Sequence, residues 1–280
     1  MMSVIIPAHD EENYLGACLS SVLASRPIAG SDGPVPVEIV VAANACTDST
    51  VEIARAYEPA ARLRGWSLLV LDLERGGKTH ALNAADARAT GDVRIYIDAD
   101  IVVGPALLDL TWAALRGDAP LYASGRVRIA EAATFATRAY REIYERVPFQ
   151  TRTIPGAGYF AVNRAGRQRW DGFPEIIADD LFVRLNFAAE ERILVEERFR
   201  WELTEGFRSL VRVRRRQDRG TRQLLARFPE LARNEDKPGF EPGEFRRLAT
   251  RFPVGMAVYC AVSALARLPV GDQGWARGRS

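Results

Sequence analysis

Short apolar runs alternate with helix-spaced apolar positions along the chain as far as Leu115. Ser3–Pro7 has the unbroken apolar character of a buried strand. Tyr14–Ala24 then sets Leu15, Cys18, Leu19, Val22 and Leu23 on one helical face. Three more pairs repeat the theme. Val37–Ala42 predicts a strand and Ser49–Tyr57 a helix, Trp66–Asp72 a strand and Lys78–Ala89 a helix, and Val93–Ile97 a strand and Pro105–Leu115 a helix. Such alternation predicts an α/β fold whose mainly parallel sheet is flanked by helices. Ligands of these sheets sit beyond the carboxyl ends of the strands, so the segment after each strand is where chemistry is sought.

Beyond Leu115 the rhythm changes. Leu121–Ile129 predicts a strand and Phe135–Val147 a helix. A Gly- and Pro-containing loop, Thr153–Gly158, leads to a short strand, Tyr159–Asn163. Asp179–Ala189 reads as a helix, Arg198–Leu203 as a last strand, and the chain from Ser209 as helical and basic. Asn234–Gly243 is a loop, and Phe252–Ala266 is the most apolar stretch. There is no internal repeat.

Composition narrows this picture only a little. With 280 residues, 48% apolar and 26% charged, the chain can build a sizeable core in one or two domains. Its net charge of +2 excludes a polyelectrolyte binder, so no nucleic-acid partner is expected. The basic residues are nonetheless uneven. Between Arg208 and Arg233 nine arginines face two acids, Asp218 and Glu230, and the chain's lysines are Lys78 and Lys237. Three scattered cysteines, Cys18, Cys46 and Cys260, lack metal-ligand spacing and fit a reducing, cytoplasmic setting. His9 and His80 are too few for a His-rich zinc site. The N-terminus enters a strand at once, without the basic and apolar regions of a signal peptide. Phe252–Ala266, interrupted by Pro253, Gly255 and Ser263, falls short of the roughly 20 residues that span a bilayer. It reads either as an ordinary packing helix or as a peripheral contact with the inner membrane face.

The loops after the strands carry the candidate chemistry. Pro7-Ala8-His9-Asp10-Glu11-Glu12-Asn13 contains no glycine, so a dinucleotide fingerprint is absent, and its acids suit the start of a helix. Gly77-Lys78-Thr79 opens a helix as in a P-loop, but Asp72 stands where that motif needs a glycine, and an acid there repels phosphate. A Gly-Gly turn with a lysine at a helix start remains, either a more open anion site or an exposed first-turn lysine. Asp98-Ala99-Asp100 closes the fourth strand. Two carboxylates one residue apart can serve one Mg²⁺ or Mn²⁺ together with substrate phosphates, or simply cap a turn. Asp179-Asp180, at a helix start, reads as a dipole-compatible cap or as a pair in which one pKa is raised into the range of a general base.

Taken together, Ser3-Val4-Ile5-Ile6-Pro7-Ala8-His9-Asp10-Glu11-Glu12, Val40-Val41-Ala42-Ala43-Asn44-Ala45-Cys46-Thr47-Asp48, Gly76-Gly77-Lys78-Thr79-His80-Ala81-Leu82-Asn83, Asp98-Ala99-Asp100 and Asp179-Asp180 resemble the family 2 glycosyltransferases in order and spacing. The resemblance covers roughly residues 2 to 220. It implies a GT-A-type, Rossmann-like fold with a catalytic domain over 1–207. The nucleotide-sugar half would be about 1–100 and the acceptor half about 101–207, with 208–280 a helical extension packed on the domain. It places Pro7, Ala8, His9 and Glu11 around the nucleoside, and Asn44 where the family often has an acid on the base. An amide offers both a donor and an acceptor there. Lys78 would approach the diphosphate. Asp98, Ala99 and Asp100 would meet ribose and metal, with Asp100 and Asp98 as metal ligands. Gly156-Ala157-Gly158-Tyr159 would wall the donor sugar. Asp179 would lie beside the donor, and Asp180 would be the catalytic base.

The implied reaction moves a sugar from a nucleotide-diphospho-sugar to an acceptor hydroxyl in one inverting displacement. The acceptor could be lipid-linked, a glycan, a protein or a small metabolite. The processive synthases of the family carry a Gln-X-X-Arg-Trp motif, whereas Arg212–Gly220 holds no tryptophan, which argues against a polymer channel. Two rivals stand beside this reading. A sugar nucleotidyltransferase would carry a Gly-rich basic loop after the first strand, and Pro7–Asn13 has none. A non-catalytic sugar-nucleotide-binding protein is disfavoured by the intact Asp98, Asp100 and Asp180.

Overall fold

The computed structural model describes residues 1–31 and 33–268; the last residues of the expected extension, 269–280, lie outside the described residues. Strand β1 (Met2–Ala8) is buried along its whole length. Helix α1 (Leu15–Leu23) turns Leu15, Cys18, Leu19 and Val22 inward, as their spacing requires. A short ladder of β2 (Ala29–Gly30) with β3 (Gly33–Pro34) precedes β4 (Val37–Asn44). Helices α2 (Thr50–Ala56) and α3 (Glu58–Leu63) meet at Tyr57, where Pro59 occupies the first turn of α3 and lacks the amide a continuous helix needs. Then come β5 (Ser67–Leu73), α4 (Lys78–Asp86), β6 (Val93–Ile97), β7 (Val102–Val103) and α5 (Leu107–Ala114).

Strand β8 (Tyr122–Ile129) leads to α6 (Phe135–Tyr144) and α7 (Pro148–Arg152). The single helix expected as far as Val147 therefore stops short, and Pro148 opens a new one. Strand β9 (Tyr159–Asn163), α8 (Arg164–Arg167), α9 (Asp179–Leu185) and β10 (Arg192–Trp201) follow. The last strand was expected at Arg198–Leu203. It starts at Arg192 because Val195 and Phe199 are buried while Glu196 and Arg198 between them face out, a period-two pattern masked by adjacent charges. Helices α10 (Phe207–Arg227), α11 (Glu244–Arg251) and α12 (Pro253–Arg267) complete the described chain. No single described helix is long and apolar enough to cross a membrane, and α11 and α12 are bent by 117° at the break between them.

The main sheet has the order β5-β4-β1-β6-β9-β8-β10-β7. Strands β5, β4, β1 and β6 run parallel, and β9 enters antiparallel to both β6 and β8. Two compact units result. One comprises 1–128, 156–175 and 179–201; the other comprises 129–155, 176–178 and 202–280. In the first, the inward faces of the strands and α1 form one core that includes Ile6, Leu19, Ile39, Ile95 and Phe199. In the second, α6 with α10 and α12 buries smaller clusters around Tyr140, Leu210 and Val262, and around Ile143, Val147 and Met256. The segment 129–155, expected in the acceptor half, thus groups with the C-terminal helices.

Candidate active site

The carboxyl ends of β1, β4 and β6 lie side by side in the sheet, and the loops that leave them interlock. Asp10, held at a φ of 53°, accepts hydrogen bonds from the Thr47 amide at 2.7 Å and from its hydroxyl. The Glu11 amide donates to Thr50 Oγ1 at 2.7 Å. Glu12 Oε2 accepts from the Ser49 amide at 3.2 Å, and Asp48 Oδ2 from the Glu12 amide at 3.1 Å. The acids of the first loop therefore serve the start of α2, while α1 has no acid in its first turn. Ala45, whose amide donates to Leu73 O at 2.7 Å, shares the left-handed conformation at φ 46°, so two non-glycine residues sit in a costly region here.

Asn44 is 2% exposed and its carboxamide is turned to the main chain. Nδ2 donates to Ala8 O at 2.6 Å, and Oδ1 accepts from the Gly77 amide at 2.8 Å. Its carbonyl oxygen lies 2.6 Å from His9 Nδ1. The side chain that sequence offered to a nucleobase thus ties the end of β1 to the turn before α4. Gly77 there has a φ of 128°, which only glycine takes without strain, and Lys78 begins the helix.

Lys78 joins three distant segments. Its Nζ lies 2.8 Å from Asp98 Oδ1 and 3.0 Å from Asp179 Oδ2. Burial alone would lower its pKa, but the charges of Asp179, Asp98 and Asp180 outweigh that and raise it, so the lysine stays protonated. The Asp98 amide donates to Gly158 O at 2.9 Å, which links the acidic triplet to the glycine loop before β9. Beneath them the buried Cys18 thiol is pushed up by burial and by the negative charges of Asp100, Asp98 and Glu11. Ala99 is 3% exposed and packs into the core, so it can offer a ligand only its backbone.

Asp179 is buried and Asp180 half-buried at the start of α9. A helix start favours the ionised form, yet both pKa values are raised. For Asp179 burial raises the pKa; the Lys78 charge opposes it and Asp98 adds to it. For Asp180 burial and the Asp179 charge push it up to about 6, against Lys78 and the Leu181 amide, which donates to Asp180 Oδ1 at 2.7 Å.

The glycine loop is set by sterics. At Gly156, with φ 68°, a Cβ would stand 1.6 Å from Tyr122 Oη. At Gly158, with φ 76°, it would stand 2.8 Å from Ile101 Cδ1. Tyr159, expected in the sugar wall, instead points into the core, where its hydroxyl is 2.8 Å from Thr111 Oγ1. Ala157 between the glycines is partly exposed. Tyr122 was not singled out by sequence, because on its strand it looks like one more core aromatic. Its buried hydroxyl, with no hydrogen-bond partner among the described residues, lies against the Gly156 wall.

Asp98 and Asp100 together offer hard carboxylate oxygens at one strand end, a donor set suited to Mg²⁺ or Mn²⁺. Asp98 Oδ2 faces the space where Gly158 lacks a side chain, 3.9 Å from an ideal Cβ, so the residues fit such an ion. A second group, His9, Asp10 and Cys46, brings a nitrogen, an oxygen and a sulfur within 4.8 Å. Its His9 Nδ1 and its Asp10 carboxylate are both engaged with the loops described above.

Acids, a lysine and glycine turns thus gather beyond the carboxyl ends of the parallel strands. The family model described as glycosyl transferase family 2 matches residues 3–172, and the chain belongs to that family and is a glycosyltransferase. No curated protein sequence matches it. Among solved structures it is similar to the mannosyltransferase PcManGT from Pyrobaculum calidifontis in complex with GDP-Man and Mn²⁺. The identity is 20% and the TM-score 0.58, over 94% of this chain and 75% of that one. It is also similar to S. aureus TarS 1-349 in complex with UDP-GlcNAc, at 15% identity and a TM-score of 0.52, over 95% and 91% of the two chains. Glucosyl-3-phosphoglycerate synthase from Mycobacterium tuberculosis, in complex with phosphoglyceric acid, aligns at 19% identity and a TM-score of 0.52, over 84% and 81%. These likenesses establish the GT-A fold.

Proposed function

We propose that the chain is an inverting transferase that moves a sugar from a nucleotide-diphospho-sugar to an acceptor hydroxyl, with Asp180 as the base. The observation that carries this reading is the position of Lys78 Nζ, 2.8 Å from Asp98 and 3.0 Å from Asp179. A cation between the strand-end acids and the base pair is where a diphosphate leaving group needs one.

Asp98 and Asp100 would hold a divalent ion, Mg²⁺ or Mn²⁺, which when bound neutralises charge on the departing diphosphate. Lys78 adds a fixed positive charge from the first turn of α4. Pro7, Ala8, His9 and Glu11 belong to the loop that would receive the nucleoside, with the His9 ring anchored through Nδ1 and able to stack on a base. Gly156 and Gly158 keep the sugar wall free of side chains. Asp180, with its pKa at about 6, is ionised at neutral pH yet basic enough to take the proton of an attacking hydroxyl. One displacement from the opposite face inverts the anomeric carbon. Mannose and N-acetylglucosamine donors are natural first candidates, since the similar structures hold GDP-Man and UDP-GlcNAc.

The test mixes the full chain with Mn²⁺ and a panel of UDP- and GDP-sugars and follows slow donor hydrolysis and transfer. One donor should be turned over, and binding or turnover of none would overturn the proposal. Asp180→Asn should lower transfer about 100- to 10,000-fold while leaving donor affinity within about twofold. An unchanged rate in that variant removes Asp180 from the role of base.

A further inference from the structure

Helix α12 (Pro253–Arg267) is apolar on every side, yet among the described residues only one side is covered. Gly255, Met256, Val262 and Ala266 face inward. At Gly255 a Cβ would come within 2.8 Å of Ala139 O, so the helix lies close against α6. Its C-terminal carbonyls are capped by Arg215, which donates to Leu265 O at 2.8 Å. The opposite side carries Val254, Ala257, Cys260, Ala264, Leu265 and Leu268, all exposed. Val254 is 52% exposed and Leu268 56%. A surface helix normally turns polar residues to water, and one that is apolar all round is normally covered on all sides.

The charges beside this stripe indicate what covers it. Across α11 and α12 the charged residues are Glu244, which is paired with Arg152 at 2.8 Å, and the exposed Arg246, Arg247, Arg251 and Arg267. Helix α11 has no buried residue, and Phe245 is 45% exposed. We propose that α11 and α12 form a membrane-surface face, with the α12 stripe inserted among the acyl chains of an anionic bilayer and the arginines on its headgroups. At 15 residues, or about 22 Å, and bent by 117° from α11, α12 is too short to span but long enough to lie in the interface. A second copy on the same patch would set four arginines against four arginines across a two-fold axis. The inference does not rest on the transferase reading, since lipid binding can be measured without donor or acceptor.

The experiment is flotation of the full chain with vesicles of phosphatidylcholine alone or with phosphatidylglycerol. The chain should float with the anionic vesicles and be released by salt. Each arginine should contribute about fivefold, so the triple variant R246Q/R247Q/R251Q should bind about 100-fold more weakly. Val254→Glu and Leu265→Glu should abolish flotation while thermal melting and donor binding stay unchanged, because both side chains are already exposed. No flotation with anionic vesicles, or equal binding to neutral and anionic ones, overturns the proposal. So does a dimer in solution that Leu265→Glu converts to monomer, since a second copy then covers the face.

Discussion

The two ends of helix α4 hold charge clusters that are balanced in opposite ways. At the C-terminal end Asp86 is almost fully buried. Its Oδ1 accepts from Arg94 Nη1 and Tyr96 Oη at 2.6 Å each, and its Oδ2 from Arg167 Nε at 2.6 Å. Two cations and a hydroxyl thus serve one acid. At the N-terminal end one cation among the described residues, Lys78, serves Asp98, Asp179 and Asp180. Burial would raise the pKa of Asp86, Asp179 and Asp180 alike. At Asp86 the bonds from Arg167 and Tyr96 reverse the effect and the pKa falls, whereas at Asp179 and Asp180 burial wins and the pKa rises. Both ends also oppose the helix macrodipole, which disfavours a lysine at the start and an aspartate at the end by about 0.3–1 kcal/mol each. Each charge therefore owes its place to partners from elsewhere in the chain. The over-satisfied cluster has the form of a fixed structural joint. The under-neutralised one has room for further cations and a proton to exchange.

The largest expected effect breaks the joint. Asp86→Asn leaves Arg94 and Arg167 without their counter-ion in a largely buried setting. It should cost about 3 kcal/mol of stability by chemical denaturation. Donor affinity of the folded variant should stay within about twofold of wild type. A large loss of donor binding with unchanged stability would show that the two ends of α4 do not divide their tasks in this way.

Next in size is Lys78→Met. If the lysine serves the diphosphate, donor affinity should fall about 10- to 100-fold, the range of a charge-assisted hydrogen bond. The variant also leaves Asp98, Asp179 and Asp180 facing one another without a cation. Its stability deficit should therefore be clear at pH 8 and shrink on acidification as Asp179 and Asp180 take up protons, which denaturation at two pH values would reveal. The Asp86→Asn deficit should hold across that range and shrink only below about pH 4, where Asp86 in the wild type loses its own charge.

How much of this contrast could be read from sequence depends on the range of the interactions. Strands Val93–Ile97 and Tyr159–Asn163 were legible to the residue because local hydrophobicity defines them. Strand β10 was half legible, since Glu196 faces out to pair with Arg126 at 2.6 Å and breaks the apolar run. In the site, Lys78, Asp98 and Asp180 stood out because each follows a strand or opens a helix. That Asn44 would turn its amide to Ala8 and Gly77 was not legible, nor that Tyr159 would bond Thr111, since both depend on how neighbouring loops and helices pack. The Asp86 cluster was silent altogether. Its Arg94 is 8 positions away and its Arg167 81, and no short motif joins them.

The smallest expected effect, a slope of about tenfold per pH unit, tests the contrast most finely. The Asp180 pKa is raised in the folded chain, so the folded state holds its proton more tightly than an unfolded chain titrating at about 3.9. Ionising Asp180 therefore costs the fold stability above about pH 6, and that cost is relieved as the pH falls through 6. Asp86 has the opposite sign, because its lowered pKa stabilises the fold above the unfolded value and that stabilisation is lost in acid. On the proposed mechanism, catalysis needs Asp180 ionised. In initial-rate measurements kcat/KM should climb about tenfold per unit up to about pH 6 and then level off. Asp86→Asn should leave this limb in place. Lys78→Met, which removes the charge holding the Asp180 pKa down, should move the limb to higher pH. A limb that stays in place in Lys78→Met would mean that the lysine, though 3.0 Å from Asp179, does not govern the base beside it.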